Sequence, residues 1–224
     1  MPENDFTEER ARLVQEIEAY AFHTGERTGR KSFDPRVMNA IGRVPRHEFV
    51  PREIRRFSYI NRPLPIGMDA TISQPFIVAL MTDLAEIAPT ANVLEIGTGA
   101  GYQAAVLSLL AERVASVEIN ERLEEAARNR LARLGFKNIA TKVGDGYYGW
   151  ADKGKFDAIL VTSAPELIPP PLIEQLAPGG RMVIPTGLPD AQKLMVVMRN
   201  PQGRLITTEV LEVAFSQLQR AGHA

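Results

Sequence analysis

The chain has 224 residues, 45% of them hydrophobic and 24% charged, which is the composition of a folded globular protein with a sizeable core. Its 26 Lys and Arg against 27 Asp and Glu leave a net charge of −1, so no global field gathers nucleic acid or an anionic membrane, and neither is an expected partner. The absence of cysteine excludes disulfides, thiol nucleophiles and cysteine-ligated metals. The three histidines, His23, His47 and His223, are scattered, so no metal site is expected.

The N-terminus is acidic and lacks the basic start and apolar core of a secretory signal. The longest apolar stretch, over 104–111, is far shorter than the ~20 residues that cross a bilayer. A cytoplasmic location is expected. Leu13, Val14, Ile17 and Ala21 recur at helical spacing after a cap at Asp5 or Thr7, which predicts an amphipathic helix. HTGERTGRKS at 23–32 reads as a Gly-containing basic surface loop. Asp34 and Pro35 form a cap and first turn for a short helix carrying Val37, Met38 and Ile41 and closed by Gly42. Four prolines between Pro45 and Pro65 mark extended chain. Ser73, Gln74 and Pro75 open a further helix containing Ile77, Leu80, Met81 and Leu84.

From Asn92 the pattern changes to short apolar runs alternating with helical stretches, the signature of repeated βα units and a mainly parallel sheet. Strands are predicted at NVLEI, VASVEI, NIATKV, FDAILV and RMVIPT, with helices over 102–112, 121–134 and 171–176. KLMVVMR and LITTEVLEV, separated by NPQG, form a closing antiparallel hairpin. The expected architecture is α/β, a doubly wound, Rossmann-like sheet. Residues 1–90 supply N-terminal helices, and 91–224 the cofactor-binding core, within one compact unit.

Leu94-Glu95-Ile96-Gly97-Thr98-Gly99-Ala100-Gly101-Tyr102 lies between a strand and a helix, where glycines let the backbone turn sharply and approach a ligand. The next strand ends at Glu118, 21 residues after Gly97, where a carboxylate accepts two ribose hydroxyls. The dinucleotide fingerprint requires glycine where Tyr102 stands, which counts against NAD. S-adenosylmethionine lacks a phosphate and carries an ammonium and a sulfonium, and Glu95 beside the loop suits such a cation. The Glu-x-Gly-x-Gly-x-Gly pattern resembles the first motif of the Rossmann-like methyltransferases. That resemblance implies a cofactor site of Glu95, Gly97, Thr98, Gly99, Gly101, Glu118 and Ile119. It also implies that Asp145, with Gly146, meets the adenine amino group. Each has a plainer reading: the glycines and Asp145 as turn formers, and Glu118 as a solvated strand end. Asp157 reads as structural and Trp150 as core.

The stretch from Val44 to Gly187 resembles the protein-L-isoaspartate O-methyltransferases. The resemblance is carried by VPRHEFVP at 44–51, LPIG at 64–67, TISQP at 71–75, LEIGTGAGYQAAVL at 94–107, GDGYYGW at 144–150 and QLAPGGRMVIP at 175–185. It implies a repair activity that moves a methyl group from S-adenosylmethionine to the α-carboxylate of isoaspartyl residues in peptides and proteins. It also assigns Ser73 as the catalytic serine, with Thr71, Ile72 and Phe76 on the substrate side. On sequence alone Ser73 also reads as a helix cap. Asp69, Ala70 and Phe76 depart from the family's pattern, as does Val213-Ala214-Phe215-Ser216-Gln217-Leu218, which lacks its proline. These departures keep open a different carboxylic acceptor or a noncatalytic S-adenosylmethionine-binding module. The oligomeric state has no signal in the sequence.

Overall fold

The computed structural model describes residues 6–222. Helix α1 (Thr7–Thr28) is followed by α2 (Pro35–Arg43), a hairpin of β1 (Leu64–Gly67) and β2 (Ala70–Ile72), and α3 (Pro75–Leu84). The βα region then runs β3 (Asn92–Ile96), α4 (Tyr102–Ser108), β4 (Arg113–Glu118), α5 (Glu121–Arg133), β5 (Ile139–Val143) and β6 (Phe156–Val161). It closes with α6 (Pro170–Gln175), β7 (Leu176–Thr186), β8 (Gln192–Arg199) and β9 (Leu205–Val213). The strands from β3 onward form one sheet in the order β5-β4-β3-β6-β7-β8-β9. Pairings from β5 through β7 are parallel, and those of β8 with its two neighbours are antiparallel. Here the fold is the expected one.

The chain proceeds outward from β3 through β4 to β5, then returns to place β6 on the other side of β3. In a doubly wound sheet, ligands bind beyond the carboxyl ends of the strands at this reversal. The loops at 97–101 and 162–163 meet there. Both faces of the sheet are covered, which is why β3 and β6 read as nearly continuous apolar runs. Val93 packs into one buried cluster with Leu13, Ile41, Leu80 and Val106, so α1 to α4 share a single core with the sheet. Leu94 and Ile96 point to the opposite face with Phe156, Ile159 and Met182. The strand period of two puts Glu95 on the same face as Val93, the face covered by α4.

Several local expectations are corrected. The basic stretch at 23–32 is not a loop, because α1 continues to Thr28 and ends at Gly29 in a left-handed conformation (φ 69). Gly25 sits inside the helix because the returning backbone and side chain of Lys31 occupy the space a Cβ would need. The expected cap at Asp5 lies outside the described residues, as does His223, and the residue preceding α1 is Phe6. Asp34 caps α2 as expected, accepting from the Arg36 amide, but that helix continues past Gly42 to Arg43. Pro45 and Pro51 do not mark extended chain, since each opens a 3₁₀ turn (Arg46–Phe49 and Arg52–Phe57). Asp157 has the structural role anticipated, its carboxylate accepting from the Asn92 amide at 2.8 Å. Among the described residues no helix is long and apolar enough to cross a membrane.

Candidate functional site

A cavity of about 770 Å³ opens at the sheet's reversal point. The β3–α4 loop and the ends of β4 and β6 form its inner end. The TISQP segment, α1 and the chain after β9 form its outer end. Gly97 sits where the loop turns away from β3, with φ 94, and a Cβ there would stand 2.5 Å from the Thr162 hydroxyl. That hydroxyl donates to the carbonyl oxygens of Ile96 (3.0 Å) and Gly97 (2.8 Å), tying the β3 and β6 loops together. Gly146 lies against Ile96 with no room for a side chain. Arg130 of α5 donates to the Ala100 carbonyl at 2.7 Å and holds the loop from outside.

Two carboxylates face this end. Glu118 is only 7% exposed; its oxygens accept from the Gly99 amide (2.8 Å) and the Asn120 amide (3.0 Å). The side chain is thereby fixed at the cavity wall, and each oxygen keeps a second lone pair for a ligand hydroxyl. Glu95 is fully buried. Its Oε2 accepts from Ser116 Oγ at 2.5 Å, a bond made possible by the β3–β4 register that sets the two residues side by side. Ser116 Oγ is also 2.6 Å from Thr98 Oγ1. Glu95 Oε1 has no well-formed hydrogen bond. Burial pushes the Glu95 carboxyl up to about 8, reinforced by the nearby Glu118 charge and opposed by the Ser116 bond.

This shift has a measurable consequence. An unfolded glutamate ionises near 4.5, whereas the folded one holds its proton to about 8. The unfolded chain therefore gains stability as pH rises through that window. At ~1.36 kcal/mol per pH unit, the ligand-free protein should lose on the order of a few kcal/mol between pH 5 and 8. Denaturant unfolding across that range should show the decline in the wild-type protein and a flatter profile in Glu95→Gln. Parallel profiles would contradict the assignment.

At the outer end, Ser73 lies just before α3. It is not the helix cap: the N-cap residue is Gln74, no side chain caps the helix, and Pro75 fills the first turn. The Ser73 hydroxyl makes no hydrogen bond within the described residues, and the residue lines the cavity. Its backbone is held tightly. Arg46 Nη2 donates to the Ser73 carbonyl at 2.8 Å and Arg46 Nε to the Ser58 carbonyl at 2.9 Å. Asn61 accepts from the Phe76 amide at 2.9 Å, and the Asn61 carbonyl accepts from Gln74 at 3.1 Å. Arg46 is wholly buried, with its guanidinium 4.9 Å from the Tyr102 ring centroid. Burial lowers its pKa to about 10, which leaves it charged at neutral pH. Sequence reasoning assigned no role to Arg46 or Asn61. The only available signal was an arginine amid apolar residues in VPRHEFVP.

Of the residues singled out in the sequence, Thr71, Ile72, Ser73, Phe76, Glu95, Gly97, Thr98, Gly99, Glu118, Ile119 and Gly146 line this one cavity. Gly101 and Asp145 do not. Gly101 turns the chain into α4 with φ 87 and packs against Leu131 and Ala127 of α5. The Asp145 side chain turns back to accept from the Tyr147 amide (2.9 Å), Arg220 Nε (3.0 Å) and the Ala221 amide (3.1 Å). Arg220 stacks over the Tyr147 ring at 3.6 Å, so the C-terminal segment covers Asp145 and leaves the neighbouring Gly146 at the wall.

The departures on the substrate side also acquire structural reasons. Met68 and Asp69 both have positive φ (54 and 55) at the tip of the β1–β2 hairpin. A two-residue turn of this hand requires that conformation, and aspartate tolerates it better than most residues. Without the family's proline, the chain after β9 is fastened by its backbone. Ala164 donates to the Ser216 carbonyl (2.8 Å), and Leu218 donates to the Ala164 carbonyl (2.9 Å). The Gln192 side chain clamps Phe215 from both its donor and its acceptor.

The inner end of the cavity thus offers a glycine-lined wall, a carboxylate held beside the strand end and a second, buried carboxylate. Among the described residues no cationic side chain lines it to meet a phosphate. This donor set fits a positively charged nucleoside without phosphate. The comparisons with known proteins agree. Residues 21–221 match the family model for protein-L-isoaspartate(D-aspartate) O-methyltransferase. The chain is 54% identical over 215 residues to protein-L-isoaspartate O-methyltransferase 2 of Syntrophobacter fumaroxidans, covering 96% of this chain and 87% of that one. It is 51% identical over 221 residues to protein-L-isoaspartate O-methyltransferase 1 of a Polaromonas species, covering 99% and 94%. A solved protein-L-isoaspartate O-methyltransferase superposes with a TM-score of 0.80 at 28% identity, over 93% of this chain and 65% of that longer one. A Plasmodium falciparum protein assigned to the same activity, in complex with S-adenosyl-L-homocysteine, has the same fold (TM-score 0.78, 21% identity, 97% and 99% coverage).

Proposed function

The chain belongs to the protein-L-isoaspartate(D-aspartate) O-methyltransferase family, and from that premise we propose how its cavity carries out the reaction. As a member, it is an S-adenosylmethionine-dependent enzyme that methylates the α-carboxylate of L-isoaspartyl residues in damaged peptides and proteins. The observation that carries the assignment of roles is that Ser73 on one side and Glu95 and Glu118 on the other line a single cavity.

S-adenosylmethionine supplies a methyl group already activated on a sulfonium. The residues that would hold it are Glu118 at the ribose hydroxyls, Glu95 toward the positive charge, which would favour loss of the proton that burial holds on this carboxyl, and the loop of Gly97, Thr98 and Gly99, with Ile119 and Gly146 alongside. The acceptor carboxylate is ionised and nucleophilic at neutral pH, so the protein needs no general base. Its task is positioning, which supplies up to ~7 to 11 kcal/mol when reacting groups are held in line. The Ser73 hydroxyl donates to one carboxylate oxygen and fixes which oxygen attacks. The buried side chains of Ile72 (4% exposed) and Phe76 (2% exposed) keep the neighbouring wall apolar. Thr71, at the open end of the same loop, contacts the acceptor peptide. The reading includes a cytoplasmic setting; it also includes a peptide acceptor in preference to a nucleic acid, which the net charge of −1 supports.

A structure determined with S-adenosyl-L-homocysteine tests these roles. Both ribose hydroxyls should lie about 2.6 to 3.0 Å from Glu118 oxygens. A ribose seated away from Glu118 would overturn the assignment.

A further inference from the structure

The last turn of α1 brings to the cavity a residue that the methyl-transfer chemistry above does not use. Tyr20, Thr24 and Arg27 follow the helical spacing i, i+4, i+7 and so share one face, and all three line the cavity. Tyr20 packs edge-on against Phe76, with ring centroids 4.6 Å apart. That contact sets this face of α1 beside the segment bearing Ser73. Among the described residues, the acidic side chains lining the cavity are Asp69, Glu95, Glu118 and Glu212, against a single basic one, Arg27. Arg27 is exposed and forms no ion pair within the described residues, in contrast to its neighbours Lys31, paired with Glu26, and Arg30, paired with Asp83 and Glu86.

The acceptor is an anion, and an anionic rim repels it. Glu95 and Glu118 belong to the inner end, which leaves Asp69, Glu212 and Arg27 to meet the peptide. Among the described residues, Arg27 is the one lining cation, and it attracts the acceptor. Its exposure places it at the mouth, away from the reacting oxygen, where a guanidinium would quench the nucleophile it was holding. Resting on the methyltransferase reading above, we propose that Arg27 is a specificity-determining residue that pairs with a carboxylate flanking the isoaspartyl residue, so that acidic acceptor peptides are preferred. The plainer role for a basic residue in a helix's last turn is to offset the carbonyl end of the helix. That role is indifferent to the peptide.

The test measures methyl transfer to three isoaspartyl peptides that differ at one flanking position, Glu, Gln or Lys. For the wild-type enzyme KM should rise in that order, by about threefold to fivefold per step, the range of an exposed ion pair, with kcat constant. The spread should shrink as salt is raised. Arg27→Gln should abolish the order and Arg27→Glu should invert it, while Arg27→Lys preserves it; the KM for S-adenosylmethionine should not move. An Arg27→Gln enzyme that keeps the wild-type order would overturn the proposal, as would a wild-type enzyme that methylates all three peptides alike. A wild-type enzyme that methylates none of them would instead overturn the reading on which it rests.

Discussion

Replacing Ser73 with alanine should lower the rate of methyl transfer to an isoaspartyl peptide roughly 10- to 150-fold, the kinetic equivalent of one charge-assisted hydrogen bond of about 1.5 to 3 kcal/mol. The expectation follows from what Ser73 does not do. It caps no helix, since Gln74 and Pro75 occupy the start of α3, and its hydroxyl is bound to nothing else among the described residues. Its loss therefore removes an interaction made with the acceptor and leaves the fold intact. The affinity for S-adenosyl-L-homocysteine, measured by calorimetry, should be unchanged, because the inner wall is built from other elements. A Ser73→Ala enzyme within threefold of wild-type activity would remove Ser73 from the mechanism.

The second large effect belongs to a residue that touches neither reactant. Arg46 is a buried cation whose hydrogen bonds go to backbone carbonyls, those of Ser58 and Ser73 among them. Burying such a charge costs several kcal/mol, so its retention requires a benefit, and holding the Ser73 loop supplies one. Lysine at this position keeps the charge but lacks the planar fork that serves two carbonyls at once. Each carbonyl left without a donor costs about 1 to 3 kcal/mol. Arg46→Lys should therefore lower the unfolding free energy by that amount, readable in a denaturant titration. It should also reduce kcat by as much as ~100-fold, because a displacement of about 1 Å at a reacting group has that effect. A variant destabilised as expected but fully active would show that Arg46 supports the fold alone and does not position Ser73.

The contrast between these two residues shows where the sequence was informative. The glycine loop and Glu118 were legible because the chemistry is local: a strand, a tight turn and the next strand end follow one another at nearly fixed spacing. The parallel sheet and its antiparallel closing hairpin were legible for a similar reason, as buried strands carry unbroken apolar runs. Arg46, Asn61 and Arg220 were not, because their partners lie 12 to 75 residues away and no periodicity links a guanidinium to a distant carbonyl. Asp145 lies on the loop after β5, as its sequence position implied, but the bonds that turn its carboxylate toward Arg220 and Ala221 come from the far end of the chain. Gly25 misled for a different reason. It read as a loop former, whereas it serves close packing of Lys31 against a continuous helix, and that helix is what carries Arg27 to the cavity. In the same way, Asp69 read only as a departure from the family's pattern, while its backbone conformation gives it a place in the hairpin turn.

The central claim is that this cavity discriminates the isoaspartyl linkage and methylates its free α-carboxylate. The most direct test incubates the enzyme and labelled S-adenosylmethionine with two peptides that differ only in an isoaspartyl or a normal aspartyl linkage, and counts base-labile methanol from each. Label is expected in the isoaspartyl peptide alone. Equal labelling of the two peptides, or none in either while S-adenosyl-L-homocysteine still binds, would contradict it.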